Sequence, residues 1–457
     1  MIFRQVLRQS MVAFTGLLIS VGSTTAQERQ HQQPTQPAGQ TLTLDQCLQI
    51  ALERNPQILI AEGQVEVAQA QTYGSYTGIL PTINASVINA NRTTSGDRDQ
   101  ILEGIVIRQV PGGTRTNYFN NIALNYTLYN GGQNWNSIRR NKQLEVNSKH
   151  NVSNAENQIA SNVKMQYYNL LRAIRLKEVT DEQVKLSEEQ LRRSQSMYEI
   201  GSVAKIDVLQ ARAQLGQVRI TLLNQQKAVT QTKANLNNVM GVDVHTPINP
   251  VDPIAGNTLA MMSPMSLQEA TSLAFQQNPS IQRDTGGIQA ANLQTKQARG
   301  GLWPTVTAGM TYSRNGVALR DVYGNYGNNW NLGLNISVRL PILNGTQTYA
   351  NIQSSHAQRM IAEETLNQTK RTTLLSIRQS LLDLETSILV TELSNENIVA
   401  SEEGLRLAEE RYRVGSGTLL DVFNAQVTLA GAKSNLVIAQ YDYLIAQATL
   451  DQALGRK

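Results

Sequence analysis

Cysteine occurs once in 457 residues, as Cys47, so no internal disulfide can staple the chain. Its place in a helical stretch points to packing rather than redox chemistry. Histidine is nearly as scarce. His31, His150, His245 and His356 lie far apart, and no HExxH, GxSxG or phosphate-cradling loop accompanies them. The chain therefore reads as a non-enzyme without metal or cofactor. Charge of one sign is lacking too: 40 basic against 35 acidic residues leave a net +5. That is too mild for nucleic acid, and no compact basic patch interleaved with aromatics exists. The acidic pairs Glu188-Glu189, Glu363-Glu364, Glu402-Glu403 and Glu409-Glu410 sit beside Arg and Lys on helices. They read as solvated faces, not as paired acids for hydrolysis.

Proline is missing between Gly345 and about Tyr412, and glycine is missing there until Gly404. The run stops at Val414-Gly415-Ser416-Gly417. At about 1.5 Å per residue it predicts a helix of roughly 100 Å, which suggests a coiled coil. Ile377, Leu381, Leu384 and Ile388 step by four, three and four, as one packed seam requires. The remaining faces are polar, so this run is no membrane span. A second such run extends from Gly132 to Ile200. Two rods of that length suit a mechanical or conductive role.

The first 26 residues carry a basic segment with Arg4 and Arg8, an apolar core through Met11–Phe14 and Gly16–Ile19, and Thr24-Thr25-Ala26 before Gln27. This pattern predicts an export signal over residues 1–26. No cysteine stands at the cleavage site for lipid attachment. Residues 27–40 are a polar tract with Pro34 and Pro37 and read as a flexible lead-in.

The remaining chain is written twice, an internal repeat that governs the fold. Leu44–Ile58 (LDQCLQIALERNPQI) is echoed by Leu267–Ile281 (LQEATSLAFQQNPSI). Gly78–Thr82 is echoed by Gly301–Thr305, and Tyr129-Asn130-Gly131 by Leu343-Asn344-Gly345. The longest echo pairs YEIGSVAKIDVLQARAQL at Tyr198–Leu215 with YRVGSGTLLDVFNAQVTL at Tyr412–Leu429. The expected repeats are residues 41–241 and 265–455, joined by a proline-marked linker over 242–264.

Inside each repeat the period changes from 3.6 to 2. Trp330, Leu332, Leu334, Ile336, Val338 and Leu340 alternate with polar residues, as do Val306, Ala308, Met310 and Tyr312. In the first repeat Ile122, Leu124, Tyr126 and Leu128 alternate clearly, and Ile83, Ala85 and Val87 less so. Two hairpins of strands about ten residues long are expected, near 79–129 and 304–343, with connections over Asn89–Thr116 and Arg314–Asn329. One apolar and one polar face fit a transmembrane barrel with lipid outside and water inside. Four strands cannot close in lipid, where an open edge strands backbone groups. Several chains must therefore build one wall, two giving eight strands and three giving twelve.

Both arms leave each hairpin from the same end. The long arm turns at Gly201 or Gly415 and returns through Ile206–Met240 or Leu419–Leu454, about half its length. The opening helix, packed end to end with the returning one, would complete a stave. A closed ring of such staves leaves polar faces to solvent and to a lumen. That accounts for the low aromatic content of 5% and for the many Gln, Asn, Ser and Thr on the helices.

With these features the chain resembles the TolC-like outer membrane efflux proteins. The resemblance rests on the duplicated helix–hairpin–helix plan, the LxxAxxxNP opening (Leu48 to Ala51, then Asn55-Pro56) and the paired Tyr-x-x-Gly-Ser…Asp-Val…Ala-Gln turns. It implies a mainly α protomer with a small transmembrane β portion. Three copies would form a 12-stranded β-barrel in the outer membrane of a Gram-negative bacterium, continuous with a periplasmic α-helical barrel. It also implies a periplasmic adaptor and an inner-membrane pump as partners, and export of drugs, metals or proteins. The turns Tyr198–Asp207 and Tyr412–Asp421 would form the periplasmic tip. Where the family has an Asp pair at the constriction, Asp421 keeps the first position and the second is Asn424. An arginine of the gating network is replaced by Gly417, and Tyr412 keeps the network's tyrosine. The sequence thus departs from the doubled acidic ring and the usual salt-bridge latch.

The residues alone say something compatible about the tip. Three copies of Asp421 around one axis would repel, raising some of their pKa values and favouring cations. Asp207 and Asp421 are also placed to cap the first turns of the returning helices. Gly201 and Gly415 suit helix ends that need φ > 0. With Ser202, Ser416 and Gly417 they are the candidates for adaptor contact.

Overall fold

The computed structural model describes residues 41–457 apart from 96–97, 103–104, 111–112, 255–264, 325–326 and 343. The expected signal peptide and lead-in lie outside the described residues, as does the end of the expected linker.

The described chain begins with β1 (Thr41–Leu42), which pairs in parallel with β6 (Asn249–Pro250). Helix α1 (Leu44–Arg54) starts on a capping box, in which Thr43 and Gln46 each bond the other's backbone N–H. It stops at Asn55, and α2 (Pro56–Ser75) starts at once. Pro56 sits at the first helical position, where the missing N–H costs nothing, and Asn55 Oδ1 accepts from Gln57 N at 2.8 Å. The Asn-Pro pair thus ends one helix and caps the next.

The chain then runs through β2 (Thr82–Thr94), β3 (Arg98–Leu102), β4 (Ile105–Val110) and β5 (Gly113–Asn130) into α3 (Gln133–Glu199) and α4 (Lys205–Met240). The second half follows the same order: α5 (Leu267–Gln277), α6 (Pro279–Gly300), β7 (Thr305–Gly316), the short α7 (Leu319–Tyr323), β8 (Trp330–Arg339), α8 (Gln347–Arg413) and α9 (Leu419–Leu454). Helices α3 and α8 have 67 residues each, and α4 and α9 have 36 each.

The buried seam of α8 takes in Ile377 and Leu384 of the apolar row expected from sequence and extends well beyond them. Its members are Thr373, Ile377, Ser380, Leu384, Ser387, Thr391, Ser394, Ile398, Ser401 and Leu405, all buried or half-buried. They step by four and three throughout, with a small hydroxyl residue at every other place and also at Thr391. Leu381 and Ile388 only pack against its flank. Helix α3 repeats the device near its end with Thr180, Val184, Ser187, Leu191 and Ser194. A strict seven-residue repeat imposes a left-handed supercoil, and the small side chains let α9 and α4 approach closely. Hydrophobic patterning could not show this, because most of the seam is polar by residue type.

The returning and opening helices meet end to end. Asn55 Nδ2 donates to Val239 O at 2.7 Å, near the end of α4, and Asn278 Nδ2 donates to Ala453 O at 2.9 Å, near the end of α9. Gly241 and Gly455, with φ of 72° and 83°, end α4 and α9 against these joints. A Cβ at Gly455 would come within 2.8 Å of Asn278 Cα. Around this level lies the largest core, including Cys47, Ile58, Tyr167, Leu170, Leu236 and Tyr441. Burial pushes the Cys47 thiol up to about 11, so it is a packed thiol and not a reactive one. The Tyr167 hydroxyl lies 3.0 Å from Leu42 O and 2.6 Å from Val251 O, while Asp252 takes Arg175 Nε at 2.7 Å and the Tyr441 hydroxyl at 2.8 Å.

The sheet runs β2-β5-β7-β8, antiparallel throughout. Its register aligns side chains into rows of one kind. Ile83, Leu124, Met310 and Leu334 form one row, and Ala85, Ile122, Tyr312 and Leu332 the next but one. Between them on the opposite face lie Asn84, Ala123, Thr311 and Gly333. A bulge after Thr127 places Tyr129 opposite Val306. β2 and β5, of 13 and 18 residues, outrun the expected ten. Backbone pairing continues through the polar stretch assigned to the connection, where the Thr93 and Thr114 hydroxyls are 3.0 Å apart. The connection's far part carries the β3–β4 hairpin.

Candidate functional site

Helices α3 and α4 join at Gly201, with φ 78°, and α8 and α9 join at Gly415, with φ 77°. Ser202 N returns to Met197 O at 2.8 Å, and Ser416 N and Gly417 N return to Arg411 O at 2.9 and 3.0 Å. These bonds satisfy the last carbonyls of the long helices. A Cβ at Gly201 or Gly415 would meet nothing within 4 Å, so glycine is needed there for its φ and not for room. Gly417 differs, since a Cβ there would stand 3.0 Å from the Arg411 Cβ. Gly201, Ser202, Gly415 and Ser416 are all exposed.

One turn inward, the two helical hairpins are fastened together. The Tyr412 hydroxyl donates to Asp207 Oδ2 at 3.5 Å and also bonds the Ser194 side chain. Burial, and then the Asp207 charge, raise its pKa. Arg193 adds an ion pair to Glu409 at 3.6 Å. Behind these, Leu419 and Phe423 of α9 pack on Ala211 of α4, with Leu191 and Tyr412 at the margin. Tyr412 continues the α8 seam two steps beyond Leu405, through Ala408.

Asp421 and Asn424 are one turn apart on α9 and both exposed. The Asp421 carboxylate accepts from Thr418 N at 2.9 Å and Thr418 Oγ1 at 2.8 Å, while Thr418 Oγ1 caps Asp421 N. The Thr418 backbone N–H, and then its hydroxyl, hold the Asp421 pKa below the usual carboxylate range. The rise expected for three acids around one axis concerns neighbouring copies, whereas within one chain the cap is the nearest partner. The Thr418-Leu-Leu-Asp421 spacing is a capping signature legible in the sequence. The other returning helix lacks it, as Ala204 precedes α4 without a side-chain cap. The two tips are therefore not equivalent.

Between α3 and α8 above the tip lies an open cleft of about 810 Å³, bordered by Arg192, Arg193, Arg406, Arg413, Glu409 and Glu410. Arg406 is engaged by Glu403 and Glu410, and Arg413 by Glu410. Among the described residues no group of three or more His, Cys, Asp or Glu could hold a metal ion. Nor, among them, is any helix long and apolar enough to cross a membrane.

Known proteins share this plan. Over 313 residues the chain is 28% identical to the outer membrane protein TolC of Escherichia coli K12, covering 64% of this chain but only 60% of that protein's length. It is 25% identical over 337 residues to the outer membrane efflux protein BepC of Brucella suis, covering 73% of this chain and 71% of BepC. The fold matches the CmeC outer membrane channel of Campylobacter jejuni with a TM-score of 0.79 at 19% identity, over 90% of this chain and 85% of that one. The outer membrane efflux protein model matches residues 47–242 and 270–456, so both halves are accounted for. The chain therefore belongs to the outer membrane efflux protein family.

Proposed function

We propose that this protein is the outer membrane exit duct of a tripartite efflux or type I secretion system, working as a homotrimer and catalysing nothing itself. The observation that carries the reading is the four-stranded sheet. Its apolar rows are uncovered, with Leu334 and Ile336 about three-quarters exposed (75% and 74%). Among the described residues its outer strands β2 and β8 have a partner on one side only. An apolar face belongs in lipid, yet an edge there is prohibitive. Three copies joined β8 to β2 make a closed wall of twelve strands. Leu375, Leu382 and Leu389, seven residues apart on α8 and exposed, supply a second seam for a neighbouring stave. Residues 41–241 and 265–455 are read as the two repeats, with 1–26 the export signal, 27–40 the lead-in and 242–264 the linker.

In this reading the tips lie in the periplasm. Gly201-Ser202 and Gly415-Ser416-Gly417 offer contacts to a periplasmic adaptor that couples the duct to an inner-membrane pump. Tyr412 and Asp207 fasten the two hairpins of each protomer, and rings of Asp421 and Asn424 narrow the entrance. Conductance of the mature protein in planar bilayers tests the duct, with Asp421→Ala beside it. Discrete openings that the variant makes wider or less cation-selective support duct and ring together. Openings indifferent to the variant leave Asp421 as a cap alone, and a folded chain that never inserts refutes the duct.

A further inference from the structure

The connection between β7 and β8 does not simply leave the sheet. Helix α7 folds back onto the face that carries the apolar rows. Arg314 and Asn120 are paired neighbours on that face, one row beyond Tyr312 and Ile122. Arg314 donates to Asp321 O and Asn328 O, and the Tyr323 hydroxyl donates to Asn120 Oδ1 at 3.1 Å. Asp321 Oδ2 accepts from Ala318 N at 3.0 Å, and Val322 is buried to 1% exposure. A Cβ at Gly316 would run into Asp321, so the contact has no slack. α7 therefore covers the polar pair Asn120 and Arg314, which the register sets between Val87 and Trp330 at the end of an apolar face.

Its depth follows from the register. From Val338 to Trp330 the strand advances about 27 Å, or about 20 Å along the membrane normal at the usual barrel tilt. That nearly fills the apolar band of about 25 Å that such barrels present, so α7 stands where hydrocarbon gives way to headgroups. What α7 leaves uncovered suits that level. Leu319 and Tyr323 are exposed on it, with Val317 and Trp330 beside it. The Arg320 side chain is 90% exposed, its nearest carboxylate Asp321 being 3.9 Å away.

We propose that α7 is an interfacial anchor on the outer wall of the barrel. Leu319, Tyr323 and Trp330 would lie in the outer leaflet's boundary, and Arg320 would bind a net-anionic lipid headgroup. The proposal rests on the lipid-facing reading of the sheet, and the test separates the two. In the full mature protein, Trp135, Trp303 and Trp330, its three tryptophans, are changed to Phe. Leu319→Trp or Leu334→Trp is then added, and the protein is reconstituted in phosphatidylcholine vesicles containing lipids brominated at known depths. Leu334→Trp fluorescence quenched from deep positions shows the sheet inserted; its absence overturns the lipid-facing reading and the anchor with it. With the sheet inserted, Leu319→Trp quenched by shallowly brominated lipid supports the anchor. Quenching of Leu319→Trp only by an aqueous quencher overturns it. The headgroup is tested with spin-labelled phosphatidylglycerol and phosphatidylcholine. Arg320→Gln is expected to lower the preference for the anionic lipid about fivefold, and an unchanged preference overturns that assignment.

Discussion

Tyr412→Phe removes the hydroxyl that bonds Asp207 and Ser194 and keeps the ring packed at the end of the α8 seam. The donor lies 3.5 Å from Asp207 Oδ2, long for an O–H···O bond, so each contact is worth about 0.5–1 kcal/mol, the low end for such bonds. In the proposed homotrimer three copies act on one opening. Their loss shifts the closed–open balance by about 1.5–3 kcal/mol, a roughly ten- to hundredfold rise in open probability. Single-channel recording at neutral pH measures this directly. The pH arm has a definite sign. The Tyr412 pKa is raised in the folded chain, by burial first and the Asp207 charge after it. Its contribution is therefore complete below the ordinary tyrosine value of about 10 and lost as pH rises through the raised one. Wild type should stay closed up to about pH 10 and open only as pH rises through the raised Tyr412 pKa, while Tyr412→Phe should show no such step. An open probability within about twofold of wild type at neutral pH would refute the latch, since even the smallest contribution predicts more.

Other perturbations follow from the same geometry. Asn55→Ala removes both a helix cap and the bond to Val239 O, and should cost about 2–3 kcal/mol, read as a lowered Tm of the helical signal. Ser380 is buried and its Oγ has no hydrogen-bond partner among the described residues, so Ser380→Ala should leave Tm unchanged or raise it. Ser380→Leu overfills the seam and should cost about 1–3 kcal/mol. Asp421→Ala should fray the first turn of α9, seen as faster amide exchange at Leu419–Phe423. In the wild type the cap persists at neutral pH and is lost only as pH falls through the depressed Asp421 pKa.

Some of this architecture is legible because backbone geometry leaves few choices. Gly201 and Gly415 stand where a long helix must stop with positive φ, and the Asn-Pro pairs where one helix must end and another begin. The Thr418–Asp421 cap was legible too, as a spacing. The serines of the α8 seam were not, because a small residue is buried only when a neighbouring backbone comes close enough to bury it. For the same reason the polar continuation of β2 and β5 read as a loop, although backbone pairing does not depend on side-chain polarity.

Sequence by itself determined the duplication, the two rods of 67 residues, the alternating strands and the place of the tips, since each follows from local periodicity and local backbone limits. Only the tertiary structure decided which residues meet across the chain. Asn55 and Asn278 tie the opening helices to the ends of the returning ones, Tyr412 reaches Asp207, and α7 folds onto the face of Arg314. These contacts join residues that are distant in sequence, and no period or spacing along one chain records the distance between them in space.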